Sequence, residues 1–216
     1  AMSKTNAILH YHFVALLTNE LFIWRMKMLK ILSKSIFAGI AIGLGCWLFL
    51  TIENPIYAAL LFSCGLLAVR LYKLNLFTGK TQYLWEKSLS IKNYFLILLG
   101  NLIGISLIVF LSNLIGTEKV SAIAQAKATQ PLLTALSKGI GCGMLMSLAT
   151  YPTSPLWLSS ICVLAFILAG FNHCIADFFY LLAGKQFSIS WIFTVIGNII
   201  GGLIFTKFNP LIKEQA

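Results

Sequence analysis

Residues 170–179 read GFNHCIADFF and lie inside a long apolar stretch. Asp177 is the chain's one aspartate, and His173 is one of three histidines. A glycine followed by Asn172 and His173 interrupts a helical run. At membrane depth such a break frees backbone N–H and C=O groups, which are tolerable only when buried in protein or lining a wet cavity. A second stretch, KLNLFTGK at 73–80, breaks an apolar run in the same way. Both interrupted runs begin at a proline, Pro55 and Pro155. Both are followed at nearly equal distance by a Gly-Asn motif, GNLIG at 100–104 and GNIIGG at 197–202.

The composition says what surrounds these breaks. Of 216 residues, 59% are hydrophobic and 10% are charged, and the mean hydropathy is +0.89. A soluble domain carries about 25% charged residues. A soluble fold of this length cannot hide so much apolar surface, whereas a bilayer removes the need. The net charge of +10 does not point to nucleic acid, because the basic residues sit at the ends of apolar runs instead of on one continuous face. Five cysteines lie within apolar runs without a CxxC pair, so neither a disulfide framework nor a zinc site is expected. No cofactor is expected. No cleavable signal peptide is read, and Ala1-Met2 reads as an appended pair.

Six apolar segments are expected to span the membrane, at about 35–52, 55–72, 94–114, 132–150, 155–169 and 190–206. Residues 1–34 precede them as an amphipathic helix at a membrane face, 35–208 form the channel body, and 209–216 are a cytoplasmic tail. With the N-terminus inside, ten of sixteen Lys/Arg fall on the cytoplasmic side. Lys119, Lys127 and Lys185 fall outside, and Arg70, Lys73 and Lys138 lie within runs. That bias puts both termini in the cytoplasm. Three spans per half is an odd number, so the halves are inverted, and breaks at matching places in inverted halves point to a transport site near the midplane. The fold class is an all-α membrane protein of two inverted three-helix repeats with helices two and five broken. The glycines of the Gly-Asn motifs read as close-packing positions, and Asn101 and Asn198 as partners for backbone groups.

These stretches resemble the formate/nitrite transporter family in order and content. The segment GLLAVRLYKLNLFTGK (65–80) looks like the one ending in LFTG, and SKGIGCGMLMSLA (137–149) resembles the family's fourth helix. GFNHCIADFF is similar to the signature GFEHSIANMF. FAGIAIGLG (37–45), GNLIG and GNIIGG also fit, over about residues 30–208. The resemblance implies an aquaporin-like protomer, a homopentamer, a bacterial inner-membrane location and a small monovalent anion as substrate. It implies that His173 is the central pore histidine and that Thr78 hydrogen-bonds near it. Phe62, Leu66 and Phe166, with Leu76 and Phe77, match the apolar constrictions, and Lys138 matches a basic residue of the outer vestibule. The chain departs from the family where its acid becomes Asn172, its amide becomes Asp177, the acid before LFTG becomes Asn75, and an Asn of helix four becomes Gly143. Arg70 and Lys73 are additions. They either snorkel to the cytoplasmic interface, make a positive vestibule, or serve with Asp177 as charge partners.

The chemistry follows from the cost of charge in hydrocarbon, at least about 3 kcal/mol at the bilayer centre. Apolar rings reject ions by refusing to hydrate them. An imidazole relieves this by donating an N–H, or by supplying a proton so that a weak acid crosses neutral. Both routes stay open from sequence. Formate, nitrite, hydrosulfide or a similar anion is the expected cargo. A neutral-solute pore is an alternative, disfavoured because no Asn-Pro-Ala occurs, and so is a non-transporting membrane scaffold. An enzyme is not expected: one buried His and one Asp make no catalytic set without a nucleophile.

Overall fold

The computed structural model describes the backbone of residues 4–84, 89–113 and 119–208, and the side chains of these from residue 20 onward except that of residue 113. Lys87, Lys213 and the tail 209–216 lie outside the described residues. The chain is all-helical there: α1 Lys4–Thr51, α2 Pro55–Leu71, α3 Phe77–Lys80, α4 Ile91–Asn113, α5 Lys119–Ala128, α6 Leu132–Thr150, α7 Leu156–Leu168, α8 Cys174–Ala183 and α9 Ser190–Lys207. Four helices are long and apolar enough to cross a membrane: α6, α9, the Glu20–Thr51 part of α1 and the Ile91–Ser112 part of α4. The α2–α3 and α7–α8 pairs are interrupted, as the two polar stretches require. α1 runs unbroken through residue 34, so the N-terminal helix and the first span are continuous. The short helix α5 was not expected.

Both interruptions close a helix with the same device. Lys73 (φ 51°) and Gly170 (φ 66°) adopt the left-handed conformation. Lys73 N–H then bonds the Arg70 carbonyl at 3.2 Å and Leu74 N–H the Val69 carbonyl at 2.9 Å. Gly170 N–H bonds Ile167 at 3.0 Å and Phe171 N–H bonds Phe166 at 2.9 Å. This is a Schellman cap, which satisfies carbonyls that a helix end leaves without partners. Glycine holds this backbone without strain; lysine does so at a cost of about 1 kcal/mol.

The next residues of each break are extended and pinned from outside. Asn75 N–H donates to the Lys34 carbonyl and Asn172 N–H to the Lys138 carbonyl, both at 3.3 Å. Asn101 Oδ1 accepts from Phe77 N–H at 2.8 Å, while its Nδ2 donates to the carbonyls of Ser35 and Asn75. Asn198 Oδ1 accepts from Cys174 N–H at 2.8 Å, while its Nδ2 donates to Gly139 and Asn172. One buried carboxamide thus supplies two partners to each broken backbone and ties it by a third bond to a neighbouring helix, meeting the demand that burial imposes.

Close helix crossings bring these asparagines into place. A Cβ on Gly104 would collide with the Ile36 carbonyl of α1, and one on Gly201 with the Ile140 carbonyl of α6. Small residues there let the α1–α4 and α6–α9 backbones touch, the usual means of helix association in lipid. The packing role read for Gly104 and Gly201, and the backbone-partner role read for Asn101 and Asn198, both hold.

Candidate functional site

The two breaks meet at Thr78 and His173. Thr78 Oγ1 lies 2.9 Å from His173 Nε2, and both residues are buried. His173 is the N-cap of α8, where its Nδ1 accepts from Ala176 N–H at 3.2 Å. An N-cap acceptor satisfies one of the free N–H groups of a helix start. That bond also sets the tautomer. Nδ1 is the acceptor, so the neutral ring carries its proton on Nε2 and donates to Thr78 Oγ1. The Thr78 hydroxyl therefore accepts from the ring and keeps its own proton free to donate.

Apolar groups pack against this pair. The Phe166 ring stacks on the His173 ring with centroids 5.6 Å apart, and Phe62 meets Phe166 edge-on at 6.0 Å. Leu66, Leu76 and Phe77 are buried in the same apolar cluster. The five expected constriction residues are thus all buried and packed in one core, with Phe166 in direct ring contact with the histidine.

On one side of the pair a cavity of about 460 Å³ opens toward the α2–α3 break. Arg70, Lys73, Lys80 and Tyr83 line it, together with Val69, Leu76 and Gly79. Arg70 does not reach Asp177. Its guanidinium donates to the carbonyls of Tyr151, Ser154 and Pro155 and to Ser159 Oγ, fastening the α6–α7 turn to α2. Lys73 is exposed, and its carbonyl accepts from Lys34 Nζ. A larger cavity of about 520 Å³ lies apart from this pair, on apolar walls of α1 and α2 that include Phe37, Leu44, Leu48 and Tyr72. Its lining has no charged group, so its size alone does not make it the site.

On the other side stands a residue that the sequence reading passed over. Lys127 Nζ is 2.7 Å from Asp177 Oδ1 and donates to Asn172 Oδ1 at 2.9 Å. Asn172 Nδ2 in turn donates to Thr194 Oγ1 at 3.2 Å. Of Arg70, Lys73 and Asp177, grouped from sequence as charge partners, only Asp177 forms an ion pair among the described residues, and it does so with Lys127. The reason is topological: Arg70 and Lys73 end α2 at the α2–α3 break, whereas α5 packs on α8 and brings Lys127 to it. Two serines hold α5 there, Ser188 Oγ on the Ala128 carbonyl at 2.7 Å and Ser190 Oγ on the Lys127 carbonyl at 2.8 Å. A lone acid in an apolar run demands a cation, and that demand was the one signal pointing toward Lys127.

Asn75 contributes its backbone carbonyl to Asn101 and its side chain to the Ile31 carbonyl at 3.4 Å, so it anchors the break to α1. Lys138 is half-buried; its carbonyl holds Asn172, and its Nζ lies 3.9 Å from where a Cβ on Gly170 would stand. Among the described residues no group of His, Cys, Asp and Glu could hold a metal ion.

The sequence and the fold have parallels among known proteins. A nitrite transporter, NirC, of Escherichia coli is 29% identical over 80% of this chain and 79% of its own length. An uncharacterized transporter, YrhG, of Bacillus subtilis is 29% identical over 70% of this chain and 69% of its own. A solved ion channel of the FNT family superposes with a TM-score of 0.70 at 27% identity, covering 82% of this chain and 87% of that one. A pentameric formate channel with formate bound has the same fold, with a TM-score of 0.72 at 22% identity, covering 89% and 99%. The formate/nitrite transporter pattern matches residues 19–211. The chain is an integral membrane protein that belongs to the formate/nitrite transporter family, a family of membrane anion transporters and channels.

Proposed function

We propose that this chain conducts a small monovalent weak-acid anion, such as formate, nitrite or hydrosulfide, past the Thr78–His173 pair. The observation that carries the reading is the 2.9 Å contact that joins the two broken helices at a buried hydroxyl and imidazole. The anion leaves the basic vestibule of Arg70, Lys73 and Lys80 and meets the apolar layer of Phe62, Leu66, Phe166, Leu76 and Phe77. Stripped of water there, it needs donors. The Thr78 hydroxyl supplies one, and the imidazole Nε2–H behind it polarises that hydroxyl. The partial positive charge at the N-terminus of α8 favours the anion further. Asn172, Lys127 and Lys138 receive it on the outer side.

The tautomer favours hydrogen bonding over proton supply. A second proton on His173 belongs on Nδ1, which would then face the Ala176 N–H, donor against donor. The imidazole therefore works as a neutral donor.

The matched contacts of Asn101 with Asn198, and of Lys73 with Gly170, support two inverted three-helix repeats with six spans, the second and fifth composite. The basic loops support cytoplasmic termini in a bacterial inner membrane. A homopentamer accords with the pentameric formate channel of the same fold. It also accords with Leu21, Phe22, Ile23 and Trp24 of α1, each more than half exposed, and with the apolar groove on α1 and α2. Proteoliposomes loaded with purified protein test the function: formate or nitrite uptake above protein-free vesicles supports it, and none from folded protein refutes it.

A further inference from the structure

The basic vestibule is larger and more highly charged than a formate-sized cargo requires. Its volume of about 460 Å³ lies within the range of small-molecule sites, roughly 300–1,000 Å³. An anion of three heavy atoms fills a small part of that, given about 30 Å³ for one water. Three cationic side chains face the same cavity, and among the described residues no carboxylate stands within ion-pair distance of them. A monovalent anion compensates one of the three charges. Like charges gathered in one pocket repel, and a ligand that compensates all of them binds correspondingly well.

Two of the cationic groups are held by side-chain contacts, and the third by its backbone. Four acceptors fix the Arg70 guanidinium. The left-handed cap and the Lys34 bond fix the backbone of Lys73. Lys80 stands 5.8 Å over the Tyr83 ring. Such preorganisation lowers the ordering cost of binding. Of the residues lining the cavity, Gly79 follows Thr78 directly in sequence and Leu76 lies two residues before it, so an occupant sits beside the conducting pair.

We propose that this vestibule is a docking site for a small multivalent organic anion, a di- or tricarboxylate or an organic phosphate, which slows conduction while bound. The proposal rests on the anion-channel reading for its consequence but not for its binding step. Citrate is the probe, with chloride at matched ionic strength as control. Calorimetric titration of detergent-solubilised wild type is expected to show citrate binding that weakens at least tenfold in the Lys73→Asn/Lys80→Gln double variant. Asparagine suits the left-handed backbone at 73, and neither substitution removes a contact that holds a helix. In vesicles, citrate on the vestibule side is expected to slow formate flux in wild type and not in the double variant. No citrate binding beyond the chloride control, or binding equal in the variant, overturns the proposal. Because binding is read without flux, absence of formate flux alone sinks the channel reading and leaves the binding result to decide this one.

Discussion

Thr78 and His173, 95 residues apart in sequence, are joined by a buried 2.9 Å contact in which the ring donates to the hydroxyl. Each residue sits beside the backbone break of its own half, and each break is held by one asparagine from a neighbouring long helix. The Thr78–His173 pair is thus the meeting point of two locally satisfied interruptions.

Thr78→Val keeps the side-chain shape and removes the hydroxyl. It leaves the imidazole N–H without a partner, at a cost of roughly 1–3 kcal/mol, and deprives the anion of its donor. Formate or nitrite flux is expected to fall at least tenfold, with Thr78→Ser retaining most of it. Equal flux in wild type and Thr78→Val would show that the hydroxyl does not face the cargo.

His173 has two separable duties, capping α8 and polarising Thr78. Asparagine caps well but cannot reach Thr78 as the ring does, whereas alanine does neither. His173→Asn is therefore expected to unfold near the wild-type temperature with flux lost. His173→Ala loses flux and about 1 kcal/mol of stability as well. Thermal unfolding read beside flux separates the duties.

If the imidazole works as a neutral donor, formate flux per unit of formate anion should be level between about pH 6 and 8, across the range where a free histidine titrates. A step in that range in the wild type would contradict this and assign the histidine a proton-supplying role instead.

The Lys127–Asp177 pair is nearly buried, and breaking such a pair costs about 3–5 kcal/mol. Asp177→Asn is expected to lower the unfolding temperature clearly. Lys127 Nζ touches both position 177 and position 172, so adding Asn172→Glu should restore stability. Failure of that rescue would mean that the acid's place on α8 matters beyond pairing with Lys127.

Much of this was legible in the sequence because a break in an apolar run is costly and must be marked by polar residues. KLNLFTGK and GFNHCIADFF marked both breaks, and the Gly-Asn motifs marked the helices that repair them. Lys127 was not legible, because its partner is brought to it by the packing of α5 on α8 and not by any spacing along the chain. The anchoring of Asn75, whose carbonyl accepts from Asn101 and whose Nδ2 donates to the Ile31 carbonyl, was not legible either, because it depends on how α1 and α4 pack beside the break. The continuity of α1 through residue 34 follows from Arg25, Lys27, Lys30 and Lys34, which are strong helix formers.

Formate and nitrite flux through proteoliposomes, wild type beside Thr78→Val at equal folded protein, tests the conducting role of the Thr78–His173 pair most directly. Flux well above protein-free vesicles in wild type, reduced at least tenfold in the variant, is expected. Flux that is absent from folded wild type, or undiminished in the variant, rules that role out.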